Sequence, residues 1–401
     1  MRHLSAPEAA AALGVKLPTL YAYVSRGLLR SEGAGRAQGR RYSADDVAAL
    51  RQRRRQRRDP AVASEGALHF GLPVLDSALT LIQDGRLFYR GHDAIALAGT
   101  RTVEQVAGLL WTGRADTATD AAVPDLPRDV WRQILSVTAS LPPALAFQVG
   151  LPIAAAHDPA AYDLRPEAVE RSGARIMRLL TAIAVRQSPG TRSVSVQLAR
   201  RWAPRIAAAE GLLRTTLVLL ADHELNVSTF TARAVASAGG NPYAVVAGGL
   251  AAVQGFRHGA ASERVQGLLT EIGTPAQARS VVEARLRRGE RLPGFGHQLY
   301  PGGDPRAARL LSLIEQQRGL ARAAALPLTM IAEVSRLVSV RPNVDAALVA
   351  LAYALHLPPS APLTLFALGR TVGWIGHALE QYADDRLFRP RARYVGPTPI
   401  S

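Results

Sequence analysis

The spacing of apolar residues predicts α-helices along most of the chain. Beyond residue 60, apolar side chains recur at helical intervals, as in VEQVAGLLW (103–111) and ALVALAYAL (347–355). Clusters of proline and glycine separate these segments, and alternating β-branched runs are almost absent. One short extended stretch, DGRLFYRG (84–91), predicts a hairpin or a loop. The pattern therefore predicts an all-α body.

The first sixty residues predict a small module of their own. Ser5 has the position of a helix N-cap, Glu8 completes a capping box, and Gly14 follows as a C-terminal cap. A short turn, VKLP (15–18), leads into a second helix that Gly27 ends. Two short helices joined by such a turn make a helix-turn-helix.

The remainder of this module predicts a wing and a third helix. The basic, glycine-bearing stretch 33–42 has the composition of a wing or hairpin. A capped helix begins near Ser43 and runs into the arginine-rich segment 51–58, and Asp59-Pro60 then breaks it. Segment 51–58 is open to two interpretations, a phosphate contact or a solvated helix end.

Composition narrows the class of protein. The length of 401 residues suggests two or three domains, and 48% apolar residues exclude global disorder. Aromatic residues are scarce, at 5%, which favours packed helices over a β-sandwich. The chain has no cysteine, which excludes a disulfide scaffold, a cysteine-ligated zinc site and a thiol nucleophile.

No targeting or membrane segment is visible in the sequence. The first residues, MRHLS, lack the apolar core of a signal peptide. The longest apolar stretch, around 346–355, is too short to span a bilayer. We expect a cytoplasmic protein with no membrane partner.

Positive charge is concentrated at the N-terminus. The chain has a formal net charge of +16, and residues 1–60 hold 13 Lys and Arg against 5 acidic residues, a net of +8. The other 341 residues carry the remaining +8. Such clustering indicates a polyanionic partner, with a general preference for arginine as the alternative.

The N-terminal module resembles the winged helix-turn-helix of the MerR and excisionase type. The resemblance lies in EAAAALGV (8–15), TLYAYVSRGLL (19–29) and RRYSADDVAAL (40–50). In such folds the second helix enters the major groove of DNA and wing arginines contact phosphate. The candidate DNA-binding residues are Lys16, Thr19, Tyr21, Tyr23, Arg26, Arg40 and Arg41. The alternative is a helical domain used only for protein contacts.

Three histidines in glycine-rich or capped contexts are the strongest candidates for chemistry. They are His223, His258 and His297, and an aspartate and several arginines follow them in proline- or glycine-marked segments. This inventory suits acid–base chemistry on a small polycarboxylate that arginines grip by its carboxylates. Spacing alone leaves open whether these groups converge.

Five ordered segments resemble the citrate synthase family. They are ADHELNVSTFTAR (221–233), GFGHQLYPGGDPRA (294–307), PNVD (342–345), FALGRTVGWIGHALEQ (366–381) and RPRARYVG (389–396). An upstream segment, LFYRGHDAIALA (87–98), also fits, so the resemblance covers roughly residues 65–397. The whole chain resembles the bacterial citrate synthase-like proteins that carry an N-terminal helix-turn-helix.

The resemblance implies an all-α fold and a division into domains. The helix-turn-helix domain would span residues 1–58. A large helical domain would comprise residues 59–259 and 356–401, and a small domain, residues 260–355, would close over the substrates. The working unit would be a homodimer with a composite active site.

The resemblance also implies a reaction, the condensation of acetyl-CoA with oxaloacetate to citrate and CoA. Asp345 matches the base that removes a methyl proton, His258 the donor to the thioester oxygen, and His297 the group that polarises the ketone. The residues that match the substrate-binding positions are His223, Asn226, Arg306 and Arg370. Arg389 matches an arginine that reaches the site across the dimer interface. The resemblance implies neither a metal nor a redox cofactor, and acetyl-CoA takes part as a substrate.

A loop for the CoA moiety follows from the same match, with departures from the family pattern. Gly294 and Gly296 suit a loop pressed against a ligand. Gln298 replaces a common arginine, and Arg341 is a candidate for supplying the missing charge. Ala260 replaces a family glycine, so the loop would be strained if that position requires a positive φ.

Two alternatives remain open at this point. A 2-methylcitrate synthase would take propionyl-CoA, a difference of one methylene that the sequence does not resolve. A transcription regulator would use the same fold to sense an acyl-CoA or a carboxylate.

Overall fold

The computed structural model describes residues 3–25, 29, 31–33, 40–44, 46–47, 50, 75–114, 119 and 126–397. The chain divides into two compact units, Met1–Asp76 and Ser77–Ser401.

The N-terminal unit contains the predicted helix-turn-helix. Its elements are β1 (His3–Ser5), α1 (Ala6–Leu13), α2 (Leu17–Ser25), β2 (Glu32–Gly33) and β3 (Arg40–Ser43). Strand β3 pairs antiparallel with both β1 and β2, so the wing forms a three-stranded sheet.

The predicted caps of α1 are present. Ser5 and Glu8 form the reciprocal capping box, and Gly14 ends the helix with φ 62°. Leu20 and Tyr42 are fully buried in the core of this unit. A third helix begins where it was predicted, with helical backbone at residue 44 and Ser43 Oγ accepting from Asp46 N. Segment 51–58 lies outside the described residues.

The second unit is almost entirely helical, as predicted. Its strands are β4 (Thr80–Gln83), β5 (Arg86–Tyr89) and β6 (His92–Asp93). Its α-helices are α3 (Ala94–Thr100), α4 (Val103–Thr112), α5 (Arg128–Val137), α6 (Pro143–Ala156), α7 (Pro166–Val185), α8 (Val194–Trp202), α9 (Ala209–Leu220), α10 (Val227–Ser237), α11 (Pro242–Val253), α12 (Ala261–Ile272), α13 (Ala278–Arg287), α14 (Pro305–Glu315), α15 (Arg318–Ala323), α16 (Ala325–Val338), α17 (Val344–Ala354) and α18 (Ala361–Asp384). Among the described residues of this unit, 3₁₀ helices lie at Pro159–Tyr162 and Pro275–Gln277.

The extended stretch predicted near residue 84 is a hairpin. Strands β4 and β5 pair antiparallel from Thr80 opposite Tyr89 to Gln83 opposite Arg86. Tyr89 is fully buried, and its hydroxyl lies 3.0–3.2 Å from the carbonyl oxygens of Val218, Leu219 and Asp222. The hairpin therefore holds the end of α9, which leads into the first candidate histidine.

Helix α18 forms the centre of the core. It packs against α4, α7, α9, α10 and α11, and Trp374 at its middle is fully buried. A Cβ added to Gly249 of α11 would lie 2.6 Å from the Trp374 ring, so a glycine permits this close approach. Helices α12–α17 pack chiefly on one another, through α12 with α17, α13 with α16 and α14 with α17. The domain boundaries at 259 and 355 stay a prediction.

Within the described part of the chain, no helix is long and apolar enough to cross a membrane.

Candidate active site

A backbone pairing brings His297 and Asp345 together. Gly296 N donates to Arg341 O (2.9 Å) and Asn343 N donates to Gly294 O (2.9 Å). Asn343 then caps α17, since its Oδ1 accepts from Asp345 N at 3.0 Å. Two segments almost fifty residues apart in sequence are thereby fixed side by side.

Glycine is required in this loop. Gly294 and Gly296 have φ 86° and 75°, in the left-handed region that favours glycine. A Cβ on Gly294 would also come within 2.8 Å of Val265 and 3.0 Å of Ala346. The loop conformation thus depends on both glycines, and their role beside a ligand stays a prediction.

Asp304 ties a candidate arginine to the helix of Asp345. Its carboxylate accepts from the Arg306 guanidinium at 2.8 and 3.0 Å and from Val344 N at 3.0 Å. Asp304 and Arg306 are both about 2% exposed. The ion pair raises the pKa of Arg306 and lowers that of Asp304, although burial opposes both shifts. Arg306 is therefore a fixed cation beside the start of α17.

An aromatic and imidazole cluster lies against this ion pair. His223 Nε2 is 3.0 Å from the Tyr300 hydroxyl, and the His223 and His297 rings meet edge-on with centroids 5.2 Å apart. The Arg306 guanidinium lies 5.8 Å from the centre of the Tyr300 ring. Leu299 N donates to His297 Nδ1 at 3.2 Å, which leaves the His297 ring proton on Nε2.

His258 is held by side chains of α10 and α18. Its Nε2 lies 2.8 Å from Ser228 Oγ, and its ring meets Phe366 edge-on at 5.6 Å. Ser228 Oγ also accepts from Trp374 Nε1 (3.2 Å) and donates to Asn226 Oδ1 (2.8 Å). The serine therefore has one proton to donate and two acceptors within reach.

Arg370 is a buried cation with open donors. Its Nε donates to Leu220 O at 3.0 Å, whereas both terminal nitrogens are buried and lack a hydrogen-bond partner. Burial lowers the pKa of Arg370 to about 10. A folded protein rarely leaves such donors unsatisfied, so they indicate a place for an anionic ligand.

Burial and the two arginines set the protonation states of the histidines. Burial lowers the pKa of His223 well below its usual value, and Arg306 and Arg370 lower it further. Burial, with Arg370, lowers the pKa of His258 to about 4, and burial and Arg306 lower that of His297. All three imidazoles are neutral at pH 7 and can each donate one hydrogen bond.

Asp345 has the opposite shift. Its Oδ1 is buried without a hydrogen-bond partner, and burial raises its pKa to about 7, while Arg306 lowers it and Asp304 raises it. The site thus combines a carboxylate of elevated basicity, three neutral imidazoles and two fixed cations. That combination can remove a weakly acidic proton beside a carbonyl group and hold an anionic partner.

The raised pKa predicts how stability changes with pH. Because folding raises the Asp345 pKa above its unfolded value of about 4, the folded state is favoured by the protonated carboxyl, and this contribution is lost as pH rises through about 7. We expect Asp345→Asn, which cannot ionise, to be more stable than the wild type at pH 8 and to match it below pH 4. Urea unfolding of both proteins at intervals from pH 4 to 9 measures the difference. A difference that does not change with pH would contradict the assignment.

Several predicted residues lie away from this cluster. Arg389 is exposed in the segment after α18, with its guanidinium donating to Pro390 O. Gln298 and Arg341 are exposed beside the glycine loop. Asn226 is an N-cap: its Oδ1 accepts from two backbone amides of α10 and its Nδ2 donates to His223 O, so it positions neighbours.

The strain considered at Ala260 does not arise. Ala260 has φ −71°, where alanine is unstrained, so replacing the family glycine leaves this loop intact. The adjacent Gly259 is the constrained position, because an added Cβ would lie 2.7 Å from Val253 Cγ2.

Four residues that shape the site were not predicted from the sequence. Ser228, Tyr300 and Asp304 each hold a candidate residue by a side-chain contact, and Tyr89 holds the carbonyl oxygen of Asp222, the residue before His223. The sequence signals for these residues were two helix caps, Asp304-Pro305 before α14 and Asn226-Val227-Ser228 at the start of α10.

The candidate DNA contacts divide by exposure. Lys16, Thr19 and Tyr21 on and beside α2 are exposed, as is Arg41 on β3, whereas Tyr23 packs partly into the core of the unit. Arg26 and the side chain of Arg40 lie outside the described residues.

Comparison with known proteins gives the family. A model of the citrate synthase C-terminal domain matches residues 68–391, and a helix-turn-helix domain model matches residues 4–55. Citrate synthase 2 of Bacillus subtilis is 29% identical over 356 residues, covering 82% of this chain and 95% of that protein. A 2-methylcitrate synthase of Mycobacterium tuberculosis is 31% identical over 353 residues, covering 81% and 89%.

The fold gives the same answer. The crystal structure of citrate synthase from Thermotoga maritima matches with a TM-score of 0.71 at 26% identity, covering 82% of this chain and 96% of that one. The chain therefore belongs to the citrate synthase family, with a helix-turn-helix domain preceding the family region.

Proposed function

We propose that the protein condenses acetyl-CoA with oxaloacetate to give citrate and CoA. The observation that supports this most is the position of Asp345, with its raised pKa, beside the Asp304–Arg306 pair, whose carboxylate bonds the start of the same helix. The Arg306 cation also acts on His223, His297 and Arg370, and the terminal nitrogens of Arg370 have no hydrogen-bond partner. Relatives named citrate synthase support the same reaction.

Oxaloacetate would bind through the cations. Arg306 and Arg370 offset the charge of a dianion that would otherwise resist burial. His223 would donate to a carboxylate of the same substrate. His297, with its proton on Nε2, would donate to the ketone oxygen and make the ketone carbon more electrophilic.

Acetyl-CoA would be activated between Asp345 and His258. Asp345 removes a methyl proton while His258 donates to the thioester oxygen, and the resulting enol carbon attacks the ketone carbon of oxaloacetate. The ketone oxygen then takes up a proton, which gives citryl-CoA. Water hydrolyses the thioester and releases CoA, so the sequence needs no electron acceptor, and we propose that no resident cofactor takes part.

Ser228 would set the tautomer of His258. The serine hydroxyl donates to Asn226 Oδ1 in this structure; turned to His258 Nε2, it would leave the ring proton on Nδ1, free for the thioester oxygen. Asn226 and Trp374 hold the serine in place from either side.

The CoA moiety would lie against the glycine loop. Gly294 and Gly296 would let its chain approach the backbone, with Gln298 and the exposed Arg341 nearby for its polar groups. We propose that the small domain, residues 260–355, closes over both substrates and excludes water from the enol.

A homodimer would complete the site. Leu145 and Val149, one helical turn apart on α6, are 42% and 36% exposed, which leaves an apolar face for a second copy. Arg389, exposed and outside the cluster of its own chain, would reach the site of the partner subunit. We propose a cytoplasmic dimer.

Product analysis tests the reaction and its acyl preference. We expect oxaloacetate-dependent CoA release with acetyl-CoA, and citrate detected by mass spectrometry. Since a 2-methylcitrate synthase also matches the chain, propionyl-CoA is the second substrate. If kcat/KM is higher with propionyl-CoA, the activity is assigned as 2-methylcitrate synthase instead of citrate synthase. If neither acyl-CoA gives CoA release, the proposal is contradicted.

We also propose that the N-terminal unit binds duplex DNA, because a helix-turn-helix model matches it and α2 exposes Thr19 and Tyr21. Phosphate contacts release counterions, so affinity should fall steeply with salt, by about 10³-fold between 50 and 200 mM for six or more contacts. Lys16→Ala and Arg41→Ala should each flatten this dependence, as measured by fluorescence anisotropy on a labelled duplex. Absence of binding at 50 mM salt would remove the DNA-binding role and with it the regulator alternative.

A further inference from the structure

A cavity of about 400 Å³ lies between α9 and α14 and contains none of the candidate active-site residues. Its walls include Gly211, Arg214 and Thr215 from α9, Arg309 and Leu313 from α14, and Gln317 just after α14. The volume is within the range of small-molecule sites.

Arg309 is an unpaired cation in this cavity. Within the described part of the chain it makes no hydrogen bond or ion pair, and its Nε is buried. Arg214, by contrast, is occupied by the carbonyl oxygens at the end of α3 and by that of Arg101. Glu210 accepts from Ser195 Oγ and is likewise engaged. The cavity therefore has an excess of positive charge with one open guanidinium.

The opposite wall has room for a ligand body. A Cβ added to Gly211 would meet no atom within 4 Å, and Leu212 and Leu313 line the same space. A cationic end with an apolar wall is typical of sites for small organic anions.

We propose that this cavity binds a small organic anion, a phosphorylated or carboxylated metabolite, through the Arg309 guanidinium. Both helices that line the cavity also contact or carry arginines of the candidate active site. Arg306 lies one turn before Arg309 on α14, and Leu220 at the end of α9 accepts from Arg370. An anion that holds the two helices at their present separation stabilises the arrangement that presents both arginines, so it tightens oxaloacetate binding. The cavity site stands without the proposed function, whereas this coupling rests on it.

Titration calorimetry on the full-length protein tests the site with inorganic pyrophosphate and, separately, glutarate as probes. Arg309→Gln removes the cation, and Gly211→Leu fills the cavity without changing any charge. Arg318→Gln removes an exposed arginine just beyond α14 and is the matched control. Thermal unfolding confirms that each variant is folded.

We expect the wild type to bind at least one probe at one cavity site per chain. At that site the probe should bind at least tenfold more weakly to Arg309→Gln and to Gly211→Leu. Its affinity for Arg318→Gln should stay within twofold of the wild-type value. The probe that binds more tightly identifies the ligand as phosphorylated or carboxylated. If both cavity variants bind the probes with the same affinity as Arg318→Gln, the proposed site is overturned. Because heat of binding is read without turnover, this result is independent of whether the protein condenses acetyl-CoA.

A second titration tests the coupling. Oxaloacetate should bind at least threefold more tightly with the probe at saturation, and Gly211→Leu should abolish the difference. Equal oxaloacetate affinity with and without the probe would overturn the coupling, and by reciprocity the same factor must appear when the order of addition is reversed.

Discussion

Asp345→Asn is expected to lower the kcat of CoA release by about 10³-fold, within the range that general-base catalysis contributes. The amide is nearly isosteric with the carboxyl group, and Asp345 N keeps its hydrogen bond to Asn343 Oδ1. Only the ability to accept the methyl proton is lost. Steady-state CoA release measured with a thiol reagent at pH 8 gives kcat for both proteins.

Oxaloacetate binding serves as the control for this variant. The carboxylate ligands are on other side chains, so the oxaloacetate dissociation constant of Asp345→Asn should stay within a few-fold of the wild type. A kcat within tenfold of the wild type would mean that another group takes the proton. A joint loss of oxaloacetate binding would mean that the asparagine disturbed the Asp304–Arg306 pair instead.

Arg370→Met is expected to weaken oxaloacetate binding by about 2–5 kcal/mol, equivalent to roughly 30- to 5,000-fold, because it removes a buried donor pair from a carboxylate. The same change should not lower thermal stability. Arg370 is about 1% exposed, and only its Nε has a hydrogen-bond partner, so methionine relieves the cost of a buried charge that the Leu220 carbonyl oxygen and the Asp222 carboxylate offset only in part. Calorimetric titration with oxaloacetate and thermal unfolding measure the two effects.

Arg370→Lys separates charge from geometry in this account. Lysine keeps the cation but loses the planar fork, so we expect binding between that of the wild type and that of Arg370→Met. A fall in stability together with unchanged oxaloacetate affinity for Arg370→Met would show that the arginine is structural and that its open nitrogens face no substrate.

The helical body and the caps of the first helix were predictable because their signals are local. Apolar periodicity, Ser5 and Glu8 as a capping box, and Gly14 as a cap each act within one or two turns of chain. The extended stretch 84–91 was predicted as a hairpin or a loop, and the strand pairing of the structure decides for the hairpin.

The convergence of the site was not readable from spacing, because it depends on long-range contacts. Asp304 bonds to Arg306 two residues on and to Val344 forty residues on, and only the second contact places Asp345 beside the cation. Ser228 contacts His258 across thirty residues of sequence, and Trp374, much further along the chain, donates to the same serine. The roles of these side chains depend on contacts that form only in the folded chain. The expectation that the site residues converge came from the family resemblance and not from the apolar periodicity.

The backbone also decided the question of Ala260. A sequence departure from glycine predicts strain only where φ is positive, and this position has φ −71°. The constrained glycine is the neighbouring Gly259, where side chains of α11 and α18 leave no room for a Cβ.

The most direct measurement is CoA release by the wild-type protein with acetyl-CoA and oxaloacetate together, and with each one omitted. If the cluster around Asp345 is a condensing site, CoA appears only when both substrates are present, and citrate forms in equal amount. If folded protein releases no CoA above the rate of Asp345→Asn, the arrangement of base, imidazoles and arginines is a binding site for these ligands and not a site of condensation.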